Sequence, residues 1–478
     1  MPTKAIFTHQ IPLIAIVHFI LLFFIPLSDV KAQDQTVIRN VTVIKGDGTQ
    51  PQRNKDVLIK DGRIVKITHA ATDDTPYQGM KILNATGQYL SPGFIDTHAH
   101  LAMGPVSVSV IDGGPILAMQ PSENLPRVTL ERLLAHGVTT SRDPGGHTET
   151  TIRAKSQQAT GAITGASPHV AGLIFDITRF DNLVETVETA DDLRNRIDRQ
   201  AEAGVDWIKL YTGLPSDLVK AGINHAHKRG LKVTGHLDTT TWTEAARAGI
   251  DSIVHIVPGS AALLPENTRD SYAASRLITR AFFSWFEHVD FQSPAFQEMI
   301  TALRENNVSI DPTLVLFHSI AFGNTDTYKA QPGLDDLPAE LTENWRTSFH
   351  MNIGWTDADY VYAQAQWGRV LDFTKLLFDE GIMLTTGTDA NNPFILPGES
   401  FHQELALLVS AGISPLEVHQ MATLNGAKLL GQADDIGTVE EGKIADLVLL
   451  GSNPVTSISA TKEIVWVMQR GTLVHDTR

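Results

Sequence analysis

Between residues 92 and 430 short apolar stretches keep returning, most of them followed by a stretch of helical periodicity. They are GFIDTHAHL (Gly93–Leu101), GVTTSRDPG (Gly137–Gly145), HVAGLIF (His169–Phe175), WIKLY (Trp207–Tyr211), KVTGHL (Lys232–Leu237), SIVHI (Ser252–Ile256), SIDPTLV (Ser309–Val315) and MLTTGTDA (Met383–Ala390). Helical patterns such as Ala190–Ala203 and Thr241–Ala248 fill the gaps. Eight strand–helix units in a row predict an α/β chain whose parallel strands close into a (β/α)8 TIM barrel.

The flanks read differently. TVIRNVTVIKGDG and KDVLIKDGRIVKI, near the start, are short alternating strands with Gly-Asp-Gly and Asp-Gly turns, the pattern of hairpins. GTVEEGKIADLVLLGSNP and EIVWVMQRGTLVHD repeat that style near the end. The economical reading joins residues 33–91 and 431–478 into one small β-sandwich beside a barrel of residues 92–430. A Ser414 N-cap, Pro415 at the first helical position and Glu417 three residues on form a capping box. The helix it opens runs to about Leu430 and ends at Gly431. Two long connections, 257–308 and 316–382, carry helical patterns, and in a barrel such insertions lie over the mouth. The second holds Trp345, Phe349, Trp355, Tyr360, Tyr362 and Trp367, which pack within the insertion or line a substrate pocket.

Charge and residue usage narrow the function. The net charge is −16 with no basic run, which argues against nucleic acid as a partner. There is no cysteine, so disulfides, thiolate metal sites and Cys nucleophiles are excluded. Lys4, an apolar run from Ile11 to Leu27 and Val30-Lys31-Ala32 before Gln33 have the form of a secretory signal peptide, residues 1–32. A retained anchor is the rival reading, but the run is short and interrupted by His18 and Pro26. The expectation is an exported protein of a bacterial periplasm or the extracellular space, with no stable membrane span once the signal is removed.

The chemistry gathers at strand ends. His98 and His100 stand two apart on the first strand and therefore face the same side. His236 ends the fifth strand, His255 the sixth and Asp389 the eighth, while Lys209 sits inside the apolar WIKLY. Each alone has a plain structural reading: a hydrogen-bonded core histidine, a helix cap, a lysine snorkelling to the mouth. Together they are six ionisable groups at the end of a barrel where catalytic groups collect, which points to a shared metal site.

That set resembles the amidohydrolase superfamily: His-x-His on strand one, Lys on strand four, His on five and six, Asp on eight. LSPGFIDTHAHL, GVTTSRDPGG, TGTDA and IGTVEEGKIADLVLL are similar to its running text, and the text overall is closest to the branch of Xaa-Pro dipeptidases and imidazolonepropionase-like proteins. The resemblance implies a binuclear centre. Lys209, as its neutral amine, would take up carbon dioxide and form an N6-carboxylysine bridging two divalent ions. His98, His100 and Asp389 would hold one ion and His236 and His255 the other. Zinc suits such ligands, with manganese, cobalt or iron as alternatives.

The resemblance also implies a mechanism. The ions would lower the pKa of water toward ~7 and polarise a carbonyl, and Asp389 would pass a proton to the leaving amine. The expected substrate is a small molecule, a dipeptide or N-acyl amino acid amide. A cyclic amide or lactone is the first alternative, followed by a mononuclear deaminase and a non-catalytic binding protein. Tyr211, two residues past Lys209, is a candidate for the substrate carbonyl. Arg142 is a candidate for a substrate carboxylate or a partner of Asp143, and His147 and His169 are further pocket candidates. Assembly into a homo-oligomer is also expected from the family.

Overall fold

A computed structural model describes Met1 and residues 35–111, 114–275 and 279–478. The expected signal segment, beyond Met1, lies outside the described residues. Among those described, no helix is long and apolar enough to cross a membrane.

Parallel pairing leads from one central strand to the next. Phe94–Asp96 pairs with Val138–Asp143, which pairs with Ser167–Val170. Ile174–Asp176 pairs with Trp207–Leu210, followed by Lys232–Gly235, Ser252–Val254 and Ser309–Asp311. The circuit continues through residues 383–390. Ile310 N–H donates to the Met383 carbonyl at 3.0 Å, and Thr97 N–H donates to that of Thr386 at 2.8 Å. The last segment thus lies between the seventh strand and the first.

Three strands differ from expectation. The third is broken at Gly172, whose φ of +78° turns the chain between Val170 and Ile174. The seventh stops at Asp311, because Pro312 has no N–H to donate and Thr313 adopts a left-handed φ of 48°. A helix, Leu314–Ala321, begins at once. The eighth forms only isolated pairings, Ile310 with Leu384 and Ala99 with Ala390. The helices Ala190–Ala203 and Trp242–Ala248 match expectation, as does the Ser414 capping box. That last helix has a π-helical turn at Met421–Asn425, from which Asn425 Nδ2 donates to the Leu384 carbonyl at 2.8 Å.

The two chain ends share one eight-stranded sheet, in which Leu447–Leu450 runs antiparallel to Tyr89–Pro92. Val57, Leu449 and Trp466 are buried in its core. The hydrogen bonding defines a single sheet, where the sequence reading expected a sandwich. A further element had no counterpart in that reading: the hairpin of Val106–Ile111 and Gly114–Met119, joined by Phe180–Asp181.

Gly387 shows how tightly the eighth segment is seated. A Cβ there would lie 2.7 Å from His98 Cβ and 3.0 Å from Asp311 Cγ. Gly387→Ala is therefore expected to destabilise the fold by about 1–3 kcal/mol, as overpacked cores do. Calorimetric unfolding should show a lowered midpoint.

Candidate metal centre

The histidines of the first strand lie just beyond its hydrogen-bonded part. Backbone bonds fix them: Asp389 N–H donates to the His98 carbonyl at 2.7 Å, and His100 N–H to that of Ala390 at 3.1 Å. The His98 and His100 side chains then meet Asp389. The Nε2 of each is 3.0 Å from Asp389 Oδ1. For His98 that approach lacks the angles of a hydrogen bond, and both His98 Nε2 and Asp389 Oδ1 are buried with no bonded partner. Ligand atoms of the three residues can all lie within 4.8 Å of one another. Buried polar atoms are nearly always partnered, so atoms aimed at one point and left unpaired suit a cation.

The other faces of these rings are held. His98 Nδ1 is 3.1 Å from Asp311 Oδ1, and His100 Nδ1 faces the Gly145 carbonyl. Such partners fix the ring and its tautomer, leaving Nε2 for a metal.

The second group stands alongside. His236 and His255 ring centroids are 4.4 Å apart, and His255 lies 5.1 Å from His98. His255 Nδ1 is 2.8 Å from Thr313 Oγ1. His236 Nδ1 is buried without a partner. Lys209 is 1% exposed, faces the same cavity and makes no hydrogen bond or ion pair among the described residues. His255 and Asp389 both adopt left-handed backbone, φ 73° and 64°. Non-glycine residues in that region cluster at functional sites, where surrounding contacts hold them in place.

Burial acts on every group, and neighbours decide the outcome. It lowers Lys209 to about 8, against the pull of Asp311 and Asp389. It lowers His236 to about 3, aided by Lys209, and holds His255 well below its ordinary value, aided by His236. Burial also pulls on His100, but Asp143 and Asp389 outweigh it and raise the ring to about 10. Asp389 resists burial through His98 and His100 and stays well below the usual carboxylate range. The structure therefore offers neutral imidazoles on one side and an ion cluster on the other, both compatible with N/O coordination of divalent ions.

The site opens into a cavity of about 570 Å³ that reaches His100, Lys209, Tyr211, His236, His255 and Asp389. Tyr211 lines the cavity and meets His236 edge-on, centroids 5.1 Å apart. Three expected pocket residues do not line the cavity. Arg142 points into the barrel interior, where Nη2 bonds Asp311 Oδ2 at 2.6 Å and Nε bonds the Thr97 carbonyl at 2.6 Å. It is fully buried, and neither a substrate carboxylate nor Asp143 is its partner. His147 occupies the residue before helix Thr148–Ala159 without a side-chain capping bond, its Nδ1 3.0 Å from Thr150 Oγ1. His169 lies against Gln432, and burial lowers its pKa.

Sequence reasoning missed Asp311, Thr313 and Asn392. Asp311 carried the same signal as Lys209, an ionisable residue inside an apolar strand. Thr313 and Asn392 carried none, since their roles depend on turns after the seventh and eighth strands.

The chain is 18% identical to a Xaa-Pro dipeptidase solved with methionine in its active site. That likeness has a TM-score of 0.67 and covers 92% of this chain and 100% of the other, and it shows a shared TIM-barrel α/β fold. An imidazolonepropionase of Porphyromonas gingivalis is 23% identical over 416 residues, 82% of each chain. An N-acyl-D-aspartate deacylase of Alcaligenes xylosoxydans xylosoxydans is 36% identical over 103 residues, 22% of this chain and only 17% of that protein. Residues 89–265 and 369–474, more than half of the chain, match the Amidohydrolase family; the chain belongs to that family.

Proposed function

We propose that this chain is a metal-dependent hydrolase of amide bonds of the peptide or N-acyl kind, built around two divalent cations and a carboxylated Lys209. The observation that carries it is the convergence of His100, Lys209, His236, His255 and Asp389 on one cavity, with His98 Nε2 3.0 Å from Asp389 Oδ1 and both atoms buried without a hydrogen-bond partner. His98, His100 and Asp389 would hold one ion and His236 and His255 the other, with Lys209 between them. Bound there, the ions supply a polarised substrate carbonyl and water acidic enough to attack near neutral pH.

The chain's own groups supply the rest. Lys209, whose proton burial makes easier to lose, attacks carbon dioxide through the lone pair of its neutral amine, forms a C–N bond and releases a proton. The product is an anionic, two-oxygen ligand that an ammonium cannot be. Asp389 accepts a proton from the attacking water and returns it to the leaving amine. The Tyr211 hydroxyl donates to the substrate carbonyl oxygen. The apolar run before Gln33 supports export as the setting of the reaction.

Lys209→Ala is expected to lower kcat/KM by at least about a hundredfold. Metal analysis should show loss of one of two bound equivalents, and the native protein should carry carbon-13 label from bicarbonate where the variant does not. Retained two-metal loading in the variant would remove the bridging role.

A second expectation concerns pH. His100 in the metal-free protein is protonated up to about pH 10, whereas His236 stays neutral down to about pH 3. Metal bound by His100 must displace its proton, so affinity at that site should rise about tenfold per pH unit between pH 6 and 9. Titration calorimetry in buffers of different ionisation enthalpy should record the released proton. A flat profile would contradict the assignment of His100 as a ligand.

A further inference from the structure

The cavity walls say what kind of substrate the site takes. They are formed by Leu117, Phe180, Leu183, Phe282, Phe317 and Ile320, contributed by the hairpin, by the segment after the third strand and by the two long insertions. Phe282 and Phe317 pack edge to face with centroids 5.5 Å apart. Phe317 in turn lies 6.0 Å from His255. A wide apolar surface therefore begins at the ligands themselves.

Outside the candidate centre the polar residues lining the cavity are Thr178, Arg179, Tyr211, Thr279, His350 and Asn392, and three of them are occupied. Thr178 donates to Asp176. Thr279 donates to the Met351 carbonyl at 2.6 Å and accepts from Trp355 Nε1 at 3.1 Å. Arg179, the one arginine, is held bidentately by Asp181, Nε at 2.6 Å and Nη2 at 2.7 Å. A substrate carboxylate would have to displace Asp181 from that fork and would gain little by the exchange. His350 lies at the rim, where burial and Lys329 favour its neutral form. Besides that ring, what stays available is the Tyr211 hydroxyl and the Asn392 side-chain carbonyl, whose amide nitrogen donates to the Asp389 carbonyl at 3.2 Å. Both are neutral groups suited to the C=O and N–H of an amide. A chain of net charge −16 also repels anions at a distance.

We infer that the substrate is a neutral amide joined to a large apolar group, with no carboxylate beside the scissile bond. This rests on the hydrolase reading above and narrows it: recognition is by burial of a ring or long acyl chain against the aromatic wall, not by an ion pair. Sites of this kind, largely apolar with a few placed polar groups, discriminate by size and by unpaired charge.

The test uses the full-length enzyme with both ions restored and two matched pairs. N-phenylacetyl-phenethylamine and N-phenylacetyl-phenylalanine differ only by the carboxylate, and N-acetyl-phenethylamine replaces the ring on the acyl side. We expect kcat/KM for the first compound to exceed each of the other two by at least tenfold. We also expect Phe282→Ala, with metal content unchanged, to shrink the preference for phenylacetyl over acetyl several-fold. Equal or faster cleavage of the carboxylate compound overturns the inference while leaving the hydrolase reading intact. Loss of size preference in the native enzyme does the same. No cleavage of any of the three by metal-loaded enzyme overturns the inference, and only a failure to cleave dipeptides as well removes the hydrolase reading.

Discussion

A buried guanidinium beneath the candidate centre sets the terms for everything above it. Arg142 has no exposed surface, and a charge in such a place is tolerated only when it is paired and hydrogen-bonded. Its partners come from three other strands or their ends: Asp311, the Thr97 carbonyl and, at 3.4 Å, Ser252 Oγ. Its plane also stacks over Trp207, 4.7 Å from the ring centroid. Asp311 passes the constraint upward, because its other oxygen holds His98 Nδ1. One ion pair thus ties strand register to the orientation of an imidazole of the candidate centre. Removing either charge would leave the other stranded in the interior, which is far costlier than the net worth of the pair.

Above that floor, the same burial has opposite effects on two halves of one site. Around His236 and His255 it is reinforced by like-charged neighbours, at Lys209 it outweighs the pull of Asp311 and Asp389, and the groups are driven toward neutrality. Around His100 and Asp389 it is overcome by opposite charges in contact, and the groups stay ionised. Neutral nitrogen lone pairs are ready for coordination, while an ionised cluster must release protons to coordinate. The asymmetry suits a centre whose two halves do different work.

The chemistry and the selectivity come from different parts of the chain. The groups that converge on the centre project from barrel strands or the turns just after them. The walls come from the hairpin Val106–Met119, the stretch around Phe180 and helices within the insertions. Helix Leu314–Ala321 links the two, presenting Leu316, Phe317 and Ile320 to the cavity just after Thr313, which orients His255. Glu404, fully buried, accepts from the N–H groups of Leu314 and Val315 at 3.0 and 2.7 Å and anchors that helix start. Rigid strands can hold ligands to fractions of an ångström, whereas inserted segments can change shape without disturbing them.

The six candidate groups could be picked out from residue order alone. His98, His100, Lys209, His236, His255 and Asp389 each end or interrupt an apolar segment, and one-dimensional spacing suffices to put such groups at the same end of parallel strands. The repeating strand–helix units and the pairing of the two chain ends were legible for the same reason, since periodicity and turn residues are local properties. Arg142, His147 and His169 were misplaced because chain position gives the strand end but not the direction of a side chain there. Arg142 turned inward because Asp311 and Thr97 waited inside, and neither is near it in sequence. The broken third strand, the early stop at Asp311 and the aromatic wall around Phe282 and Phe317 were likewise decided only in three dimensions. Local pattern fixes which groups a segment carries; burial, charge pairing and close packing between distant segments decide where those groups point, because such energies depend on neighbours that only the folded chain brings together.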